Sequence, residues 1–416
     1  MSDEASPQSL RRDAEVVGLI VGGHATTHFL QLLLPPLFPW LMSKFALSYT
    51  ELGGIITVYS ATSLACQAFA GLLVDRVGAL RVLRVGMALL AGAAAMTGLA
   101  TGYASLIVAA VVAGVGNSVV HPADFAILNR HVSQQRLGHA FSAHGLSGYV
   151  GWAAAPVTIG GVAALAGWRA AAFTGAAVPL AVLVLLSVRR ASFGGRLPPA
   201  GPGVAAVAAG SPFAFLGVAA VWMCFLFFLF STLAASAVQN FAAPVLRVTH
   251  RLSLEAATAA LTLYLLGGAV GILTGGFLAS RNDAHDRRIA VSLCVAALLA
   301  TVLATGATAG WTVSPLMAAV GFFTGIAAPS RDLLVRRAAL GRSGPRSYGR
   351  VYGFVYSAID LGGAAAPLFF GRLLDRGLFH HVLGAVAILQ GMAIVTALDL
   401  GRRTRPLPAP VVPGNA

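Results

Sequence analysis

At residues 71–81 the chain reads Gly71-Leu72-Leu73-Val74-Asp75-Arg76-Val77-Gly78-Ala79-Leu80-Arg81. This short polar turn separates two long apolar runs, Leu52–Val74 and Val82–Ala100. Each run is long enough to cross a bilayer as a helix. The turn combines a carboxylate with arginines, Arg84 just beyond it included. The pattern predicts two membrane spans joined by a charged latch on one membrane face.

The composition of the whole chain agrees with a membrane location. Of its 416 residues 57% are hydrophobic and 10% are charged, whereas a soluble protein carries about 25% charged residues. The 48 glycines suit membrane helices that pack through small residues. The apolar runs are about twenty residues or longer, which is the length of a spanning helix rather than of a barrel strand.

Hydropathy predicts an all-α membrane protein with twelve transmembrane helices. The predicted spans are 16–42, 51–74, 80–101, 104–129, 139–165, 169–188, 213–241, 255–279, 289–309, 311–335, 350–371 and 378–400.

The spans divide into two halves of six helices. We predict an N-terminal half at residues 1–188, a cytoplasmic linker at 189–212, a C-terminal half at 213–400 and a disordered cytoplasmic tail at 401–416. The first span is expected to be retained rather than cleaved as a signal peptide, because no small-residue cleavage site follows a short hydrophobic core.

Positive charge predicts the orientation. With the N-terminus inside, 21 of the 28 lysines and arginines fall in inner segments and 6 fall in outer ones. Such a bias places both termini and the linker in the cytoplasm. The formal net charge of +14 is therefore interpreted as a topology signal in an inner membrane, and no nucleic-acid partner is expected.

The two halves also repeat each other in sequence. Three segments of the first half align in order with segments of the second, at offsets of 205, 207 and 211 residues: Ala70–Arg76 with Gly275–Arg281, His121–Asp124 with Ala328–Arg331, and Gly151–Pro156 with Gly362–Pro367. Duplicated units of this kind place a substrate site near the midplane, between the halves.

Together these features resemble the major facilitator superfamily of secondary transporters. The turn at 71–81 is similar to that family's Gly-x-Leu-x-Asp-Arg-x-Gly-Arg-Arg signature, although Ala79 and Leu80 stand where basic residues are usual. The second copy has Ser280 in place of the aspartate, so the resemblance implies a one-sided latch. A further stretch of latch shape, Gly371–Gly377, falls on the outer face and is interpreted as a helix-ending turn.

The region from Gly116 to Gly151 resembles the fosmidomycin-resistance branch of the family, whose members expel drugs. The fifth predicted span is also similar to the glycine- and proline-rich signature of proton-driven antiporters, although its spacing is imperfect. The arginine that many members carry in the fourth span is absent. The resemblance implies export of a small organic compound in exchange for protons. The matching residues are Gly148, Gly151, Pro156, Gly160 and Gly161.

Ionisable groups inside a membrane cost roughly 2.5–3.5 kcal/mol at a helix centre, so their positions are informative. Asp360 lies near the middle of the eleventh predicted span and is a candidate for binding the coupling proton. His24, His28 and Gln31 share one face of the first span and are candidates for binding substrate, the histidines also for carrying the proton. The alternative for each of these residues is packing against neighbouring helices.

The fourth predicted span places Asn117, His121 and Asp124 on one face, and Pro122 inside it predicts a kink or break. Asn117 is a candidate for binding substrate and His121 for carrying the proton. Further cavity candidates, for which packing is again the alternative, lie on the fifth and seventh spans: His144, Tyr149, Trp152, Gln239 and Asn240.

The resemblance implies a cytoplasmic gate around the latch. Asp124 is expected near the cytoplasmic end of its span, where it would pair with Arg76 or Arg81, and Arg331 occupies the repeat-related position. The alternative is ordinary snorkelling of these side chains toward the membrane surface. The predicted gate residues are Gly71, Asp75, Arg76, Gly78, Arg81, Asp124 and Arg331.

Several other functions lack the residues that they need. The chain has no Walker A sequence, no nucleophile with a recognisable base and no Cys/His spacing typical of a metal site. We therefore expect a transporter, acting as a monomer, with no cofactor and no metal. Two alternatives stay open: proton-coupled import of an organic anion, attracted by Arg331 and the histidines, and, more remotely, a polytopic membrane enzyme or sensor.

Overall fold

The computed structural model describes residues 7–193, 214–279, 281, 284–340 and 348–404. Ser280, most of the predicted linker 189–212 and most of the predicted tail 401–416 lie outside these residues. Within the described ranges all regular structure is helical, which confirms the predicted all-α class.

The helices follow the predicted spans closely. Three short 3-10 helices lie at Pro35–Leu37, Arg190–Phe193 and Ala214–Gly217. The α-helices of the described residues are α1 Pro7–Gln31, α2 Phe38–Phe45, α3 Tyr49–Val77, α4 Ala79–Gly98, α5 Tyr103–Ser118, α6 Val120–His131, α7 Gln134–Val188, α8 Ala219–Thr249, α9 Leu254–Ala279, α10 His285–Ala304, α11 Gly310–Leu340, α12 Tyr348–Asp375 and α13 Phe379–Thr404.

The number of membrane spans depends on how the bent helices are counted. Among the residues that the structure describes, ten segments are long and apolar enough to cross a membrane, and α3, bent by 56°, makes an eleventh. Helix α7 has 55 residues, about 80 Å at 1.5 Å per residue and more than twice the hydrocarbon thickness of a bilayer. Inside it Gly167 has φ 85° and ψ 162°, so α7 is two helices joined at this glycine. Counted this way, the described residues account for twelve spans.

Several boundaries differ from the prediction. The first predicted span, 16–42, is divided after Gln31 and resumes as α2 at Phe38. The fourth span breaks between Ser118 and Val120 rather than at Pro122. Proline is tolerated as the third residue of α6, because the first N–H groups of a helix have no intrahelical acceptor to lose. Helix α8 continues to Thr249, eight residues beyond the predicted end at 241, since most of this apolar extension is buried.

The two halves share a hydrophobic core at one end of the helices only. One cluster contains residues of both halves, among them Phe38 and Phe241, whose ring centroids lie 6.0 Å apart. At the other end each half has a separate core, built around residues such as Leu83 in the first half and Phe228 in the second. That end also holds the first and last described residues, and we call it the terminal face and the opposite end the loop face. The molecule is closed at the loop face and divided at the terminal face.

Helices α9 and α11 pack backbone against backbone through glycines. A Cβ atom at Gly271, Gly275, Gly321 or Gly325 would collide with main-chain atoms of the facing helix. Small residues let membrane helices approach this closely. These positions form a continuous glycine seam that holds the second half together.

Candidate functional site

Two histidines of α1 begin the candidate site. His24 is buried and lies between Ile20, part of the terminal-face core, and Phe29, part of the shared core, so it sits near mid-height. The Nε2 atoms of His24 and His28 are 3.1 Å apart. The predicted polar stripe on this helix is therefore present, and its two imidazoles are in direct contact.

Helices α6 and α7 add two more histidines. The ring of His144 stacks on that of His24 at 3.6 Å between centroids. His121 lies 5.1 Å from His24 and 6.0 Å from His28 by the same measure. We call His24, His28, His121 and His144 the histidine cluster. His28 and His121 are partly accessible, whereas the other two are buried.

A buried carboxylate completes the cluster. Asp124 has no exposed surface, and its Oδ2 atom lies 3.1 Å from Nε2 of His144. Its Oδ1 atom finds no hydrogen-bond partner among the residues that the structure describes. The expected pairing of Asp124 with Arg76 or Arg81 is absent in this conformation, and both arginines are exposed.

The break before α6 explains this difference. The prediction placed Asn117 and Asp124 on a single face and expected a kink or break at Pro122, three residues later than the observed one. Because the helix restarts at Val120, residues on the two sides of the break face different neighbours. Asn117 donates a hydrogen bond to Ser63 of α3 over 2.9 Å, while Asp124 contacts α7.

Glycines of α7 make room for the histidines. A Cβ at Gly148 would lie 3.1 Å from Nε2 of His28 and from Cε1 of His24. A Cβ at Gly151 would collide with the carbonyl oxygen of Ala25. Two residues of the antiporter-like signature thus act, in this structure, as packing positions between α1 and α7.

A polar and aromatic group continues from the cluster toward the second half. Trp152 donates a hydrogen bond to the side-chain oxygen of Gln31 over 2.9 Å, and its ring lies 4.4 Å from that of His28. Tyr149 lies 5.1 Å from Trp152 and is within van der Waals distance of the position that a Cβ at Gly268 would take, in the second half. Gln31, Tyr149 and Trp152 therefore lie together beside the histidines.

The second half contributes two charged side chains. The guanidinium of Arg331 bonds Asp332 at 2.9 Å and lies 4.5 Å from the ring centroid of Phe228. Asp360 is half-buried, and the described residues give it no hydrogen bond or ion pair. Tyr59 of the first half lies within electrostatic range of it. Arg331 and Asp360 thus occupy the C-terminal wall of the site.

Asn240 is held differently from the other candidates. Its amide donates to the carbonyl and hydroxyl oxygens of Ser236 within α8. It is buried, and this is the arrangement expected of a residue that packs rather than binds a ligand.

The latch is not engaged in this conformation. Gly78, with φ 98°, joins α3 to α4, and the part of the chain that the structure describes places no atom near enough to contact a Cβ added at Gly71. Asp75, Arg76 and Arg81 are exposed, and the described residues offer none of them an ion pair. Because the halves are apart at this face, the role of these residues as a latch stays a prediction for the opposite state.

A clasp that sequence reasoning missed joins the halves at the loop face. Asp375, at the end of α12, accepts hydrogen bonds from the backbone N–H groups of Tyr49 and Thr50 over 2.7 and 2.9 Å. A carboxylate at a helix N-terminus is favoured by the free N–H groups and the helix dipole. The turn after α12 was expected, and Gly377 has the positive φ that such a turn needs, but the contact with α3 was not.

We expect Asp375→Asn to loosen the loop face. Loss of the charge weakens two hydrogen bonds by about 1–2 kcal/mol in total, which corresponds to roughly a tenfold change in the ratio of two conformations. The distance between spin labels attached at Lys44→Cys and Arg251→Cys, in a protein with its three native cysteines replaced, measures the effect. In Asp375→Asn a larger fraction of molecules should show a long distance between the two labels. Asp399→Asn, whose partner Arg403 lies in the same helix, is the control, and an unchanged distance distribution in Asp375→Asn contradicts the clasp.

Comparison with known proteins identifies a family whose sequence model matches this chain, and solved structures that share its fold. The sequence model of the Major Facilitator Superfamily matches residues 20–367 and 225–415. The fosmidomycin resistance protein of Escherichia coli strain K12 is 27% identical over 186 residues, which are 45% of this chain and 46% of that protein. The aligned region thus spans about half the length of that curated relative.

Solved structures extend the likeness over the whole chain. Crystal structures of a bacterial homologue of the human lysosomal transporter Spinster are similar to this chain in two inward-facing conformations. The unoccupied one has a TM-score of 0.74 and covers 96% of this chain and 99% of that chain, and the occupied one has 0.71 with 95% and 99%. Both are 15% identical to this chain, so they establish the shared fold.

Proposed function

The chain belongs to the Major Facilitator Superfamily, a family of membrane transporters for small molecules, and we propose that it exports a small organic compound in exchange for protons. Family membership makes it a multi-pass membrane protein and a transporter rather than an enzyme. The direction, the coupling ion and the class of compound are our proposal.

The uneven core supports alternating access. The halves are joined at the loop face by the shared core and the Asp375 clasp, and they have separate cores at the terminal face. The excess of positive charge at the terminal face favours a cytoplasmic location for both termini. In that orientation the structure corresponds to the inward-open state of an inner-membrane protein. In the opposite state the latch would close the terminal face and the loop face would open.

The histidine cluster carries the proposal of proton coupling. A continuous row of contacts runs from α6 to α1. Oδ2 of Asp124 lies 3.1 Å from Nε2 of His144, the ring centroids of His144 and His24 are 3.6 Å apart, and the Nε2 atoms of His24 and His28 are 3.1 Å apart. We call these four residues the proton row. Imidazoles in direct contact repel each other when both are charged, so the row holds a single proton more readily than several. A proton bound there changes the charge of one side of the opening, the space between the two halves at the terminal face. The changed charge alters how strongly that side attracts or repels a transported compound.

The other groups of the site indicate the kind of compound. Trp152 and Tyr149 offer flat apolar surfaces, Gln31 offers an amide, and Arg331 offers a positive charge across the opening. A small molecule with an anionic group and a planar or apolar part fits this combination. The similarity to a fosmidomycin resistance protein makes fosmidomycin the first compound to test.

Purified protein in proteoliposomes tests the proposal. A compound that exchanges with protons releases protons from the lumen of acid-loaded vesicles, and a trapped pH-sensitive dye records the release. We expect fosmidomycin or a related small anion to accelerate it in proteoliposomes and not in protein-free liposomes. Absence of pH-gradient-dependent transport for every compound tried would sink the proposal. Uptake driven together with protons would instead support the alternative of an anion importer, which Arg331 favours.

We expect Asp360→Asn to reduce transport about tenfold and to flatten its pH dependence. The carboxyl of Asp360 lacks an ion pair within the described residues, and an isolated intramembrane carboxyl is a functional candidate. Asparagine keeps the size of the side chain but cannot exchange a proton. Initial rates over a pH series measure the effect, with the surface variant Asp399→Asn as the control. An unchanged pH profile removes Asp360 from the mechanism and leaves the proton to the histidine cluster.

A further inference from the structure

We propose that the histidine cluster binds a divalent transition-metal ion of the Zn²⁺, Co²⁺ and Ni²⁺ group. One ring nitrogen from each of His24, His121 and His144 lies within 4.8 Å of the other two. Imidazole is a preferred ligand of these metals. The site uses the side chains of the proposed proton row, but metal binding requires neither a gradient nor transport.

The hydrogen bonds show which nitrogens are free for a metal. The Ser147 hydroxyl donates its hydrogen to the carbonyl oxygen of His144 over 2.7 Å. Its oxygen therefore accepts from Nδ1–H of His24 at 2.9 Å, which leaves Nε2 of His24 without a hydrogen. With a cation bound beside it, Asp124 is ionised and its Oδ2 atom accepts from Nε2–H of His144, which leaves Nδ1 of that ring free for the metal. Both rings are thus in the neutral form that binds metals.

The groups behind the ligands have the form of a metal site. Ligating histidines commonly donate their second N–H to a carboxylate or another oxygen, which fixes the ring and raises its basicity. His144 has Asp124 in this role and His24 has Ser147. The buried Asp124 also supplies a negative charge next to a cation that would otherwise be costly to bury.

An unpartnered nitrogen points to a missing ligand. Because Nε2 of His24 carries no hydrogen, its 3.1 Å contact requires Nε2 of His28 to donate. This leaves Nδ1 of His28 as an acceptor, and it is buried without a hydrogen-bond partner among the described residues. A metal on Nε2 of His24 would replace its hydrogen bond with His28. The His28 ring keeps its Nε2–H and is then free to turn, so that its Nδ1 lone pair can serve as a fourth ligand.

The distances require only a small movement. Nitrogens that share one zinc at about 2.1 Å in a tetrahedron lie about 3.4 Å apart. Closing the observed separation of at most 4.8 Å takes a shift on the order of 1 Å. The rings of His24 and His144, which are stacked with 25° between their planes, must also rotate so that their in-plane lone pairs converge on the ion. Of the three proposed ligands His24, His121 and His144, His121 is the one that is partly accessible, and it gives the ion a route from the opening.

Cobalt binding to the purified, untagged full chain tests the inference. After chelator treatment, Co²⁺ is added alone, and its visible absorption reports tetrahedral nitrogen ligation. We expect one Co²⁺ per chain, at least tenfold weaker binding in His24→Ala, His121→Gln and His144→Ala, and weaker binding in Asp124→Asn. The control is His139→Ala with His381→Ala, which removes two exposed histidines outside the cluster and should leave binding unchanged.

Several results would overturn the metal site. One is absence of Co²⁺ uptake by the wild-type chain, and another is equal uptake by a variant lacking His24, His121 and His144. If these variants do not fold, X-ray absorption at the cobalt edge of the wild-type protein decides: imidazole scattering supports the site and oxygen ligation alone contradicts it. Transport that persists with a chelator present while Co²⁺ fails to bind would reject the metal and leave the proposed function intact.

Discussion

Replacing His144 with leucine is expected to destabilise the protein by about 1–3 kcal/mol and to reduce proton-coupled transport to background. His144 is the hydrogen-bonding partner that the described residues give to Asp124, which has no exposed surface. Removal of the His144 ring leaves the buried carboxyl of Asp124 without its hydrogen-bond partner, and an unsatisfied buried polar group is costly. Size-exclusion profiles after heating measure the loss of stability, and the proteoliposome assay measures transport.

A double variant separates stability from function. Replacing both members of a buried pair with apolar residues is often neutral or stabilising, so Asp124→Ala with His144→Leu should regain most of the stability. Transport should stay at background, because the proton row is interrupted. His381→Leu, at an exposed position, is the matched control. Wild-type transport with unchanged pH dependence in the double variant contradicts the assignment of the proton to this row.

Gly275→Leu is expected to disrupt the second half, whereas Gly276→Leu at the adjacent position should be tolerated. A Cβ at Gly275 would meet the carbonyl oxygen of Ile326 at 2.5 Å and its Cα at 2.9 Å, while a Cβ at Gly276 would meet no atom of the described residues within 4 Å. The backbone of α11 cannot rotate away as a side chain can, so α9 and α11 must separate. Overpacking typically costs about 1–3 kcal/mol and occasionally more, and a collision with backbone atoms places Gly275→Leu at the upper end.

The comparison of these two neighbours controls for helix propensity and hydrophobicity, which the substitutions change equally. Yield of folded protein and the temperature at which the monodisperse peak disappears provide the measurement. We expect Gly275→Leu to lose most of the folded protein and Gly276→Leu to resemble the wild type. Equal stability of the two variants would show that the helices are not in backbone contact.

The positions of the spans were predictable because they depend on local composition. An apolar run of about twenty residues crosses a bilayer as a helix whatever its neighbours are. The ninth structural helix, Leu254–Ala279, matches the predicted 255–279 almost to the residue. Errors arose where a helix changes course within a span. The break before Val120 changed the direction of Asp124, and the extension of α8 to Thr249 passed the expected end.

The candidate site was predictable in part of its membership but not in its arrangement. His24 and His28 share a helix face, and this was visible from their spacing. Ser147 was missed, since it lies 123 residues from the His24 ring that it contacts. Asp375 carried the same pattern as the latch, yet its role depends on α3, 326 residues away in sequence.

The sequence by itself determined the fold class, the twelve-span organisation and the family, because hydropathy, loop charge and repeated motifs are properties of short segments. Only the tertiary structure decided that four histidines and Asp124 meet, since α1, α6 and α7 must cross before their side chains can touch. It also decided that the turn at 71–81 stands disengaged, because a latch forms only when the two halves approach at the terminal face. Contacts between distant segments depend on helix rotation and approach, which no local pattern encodes.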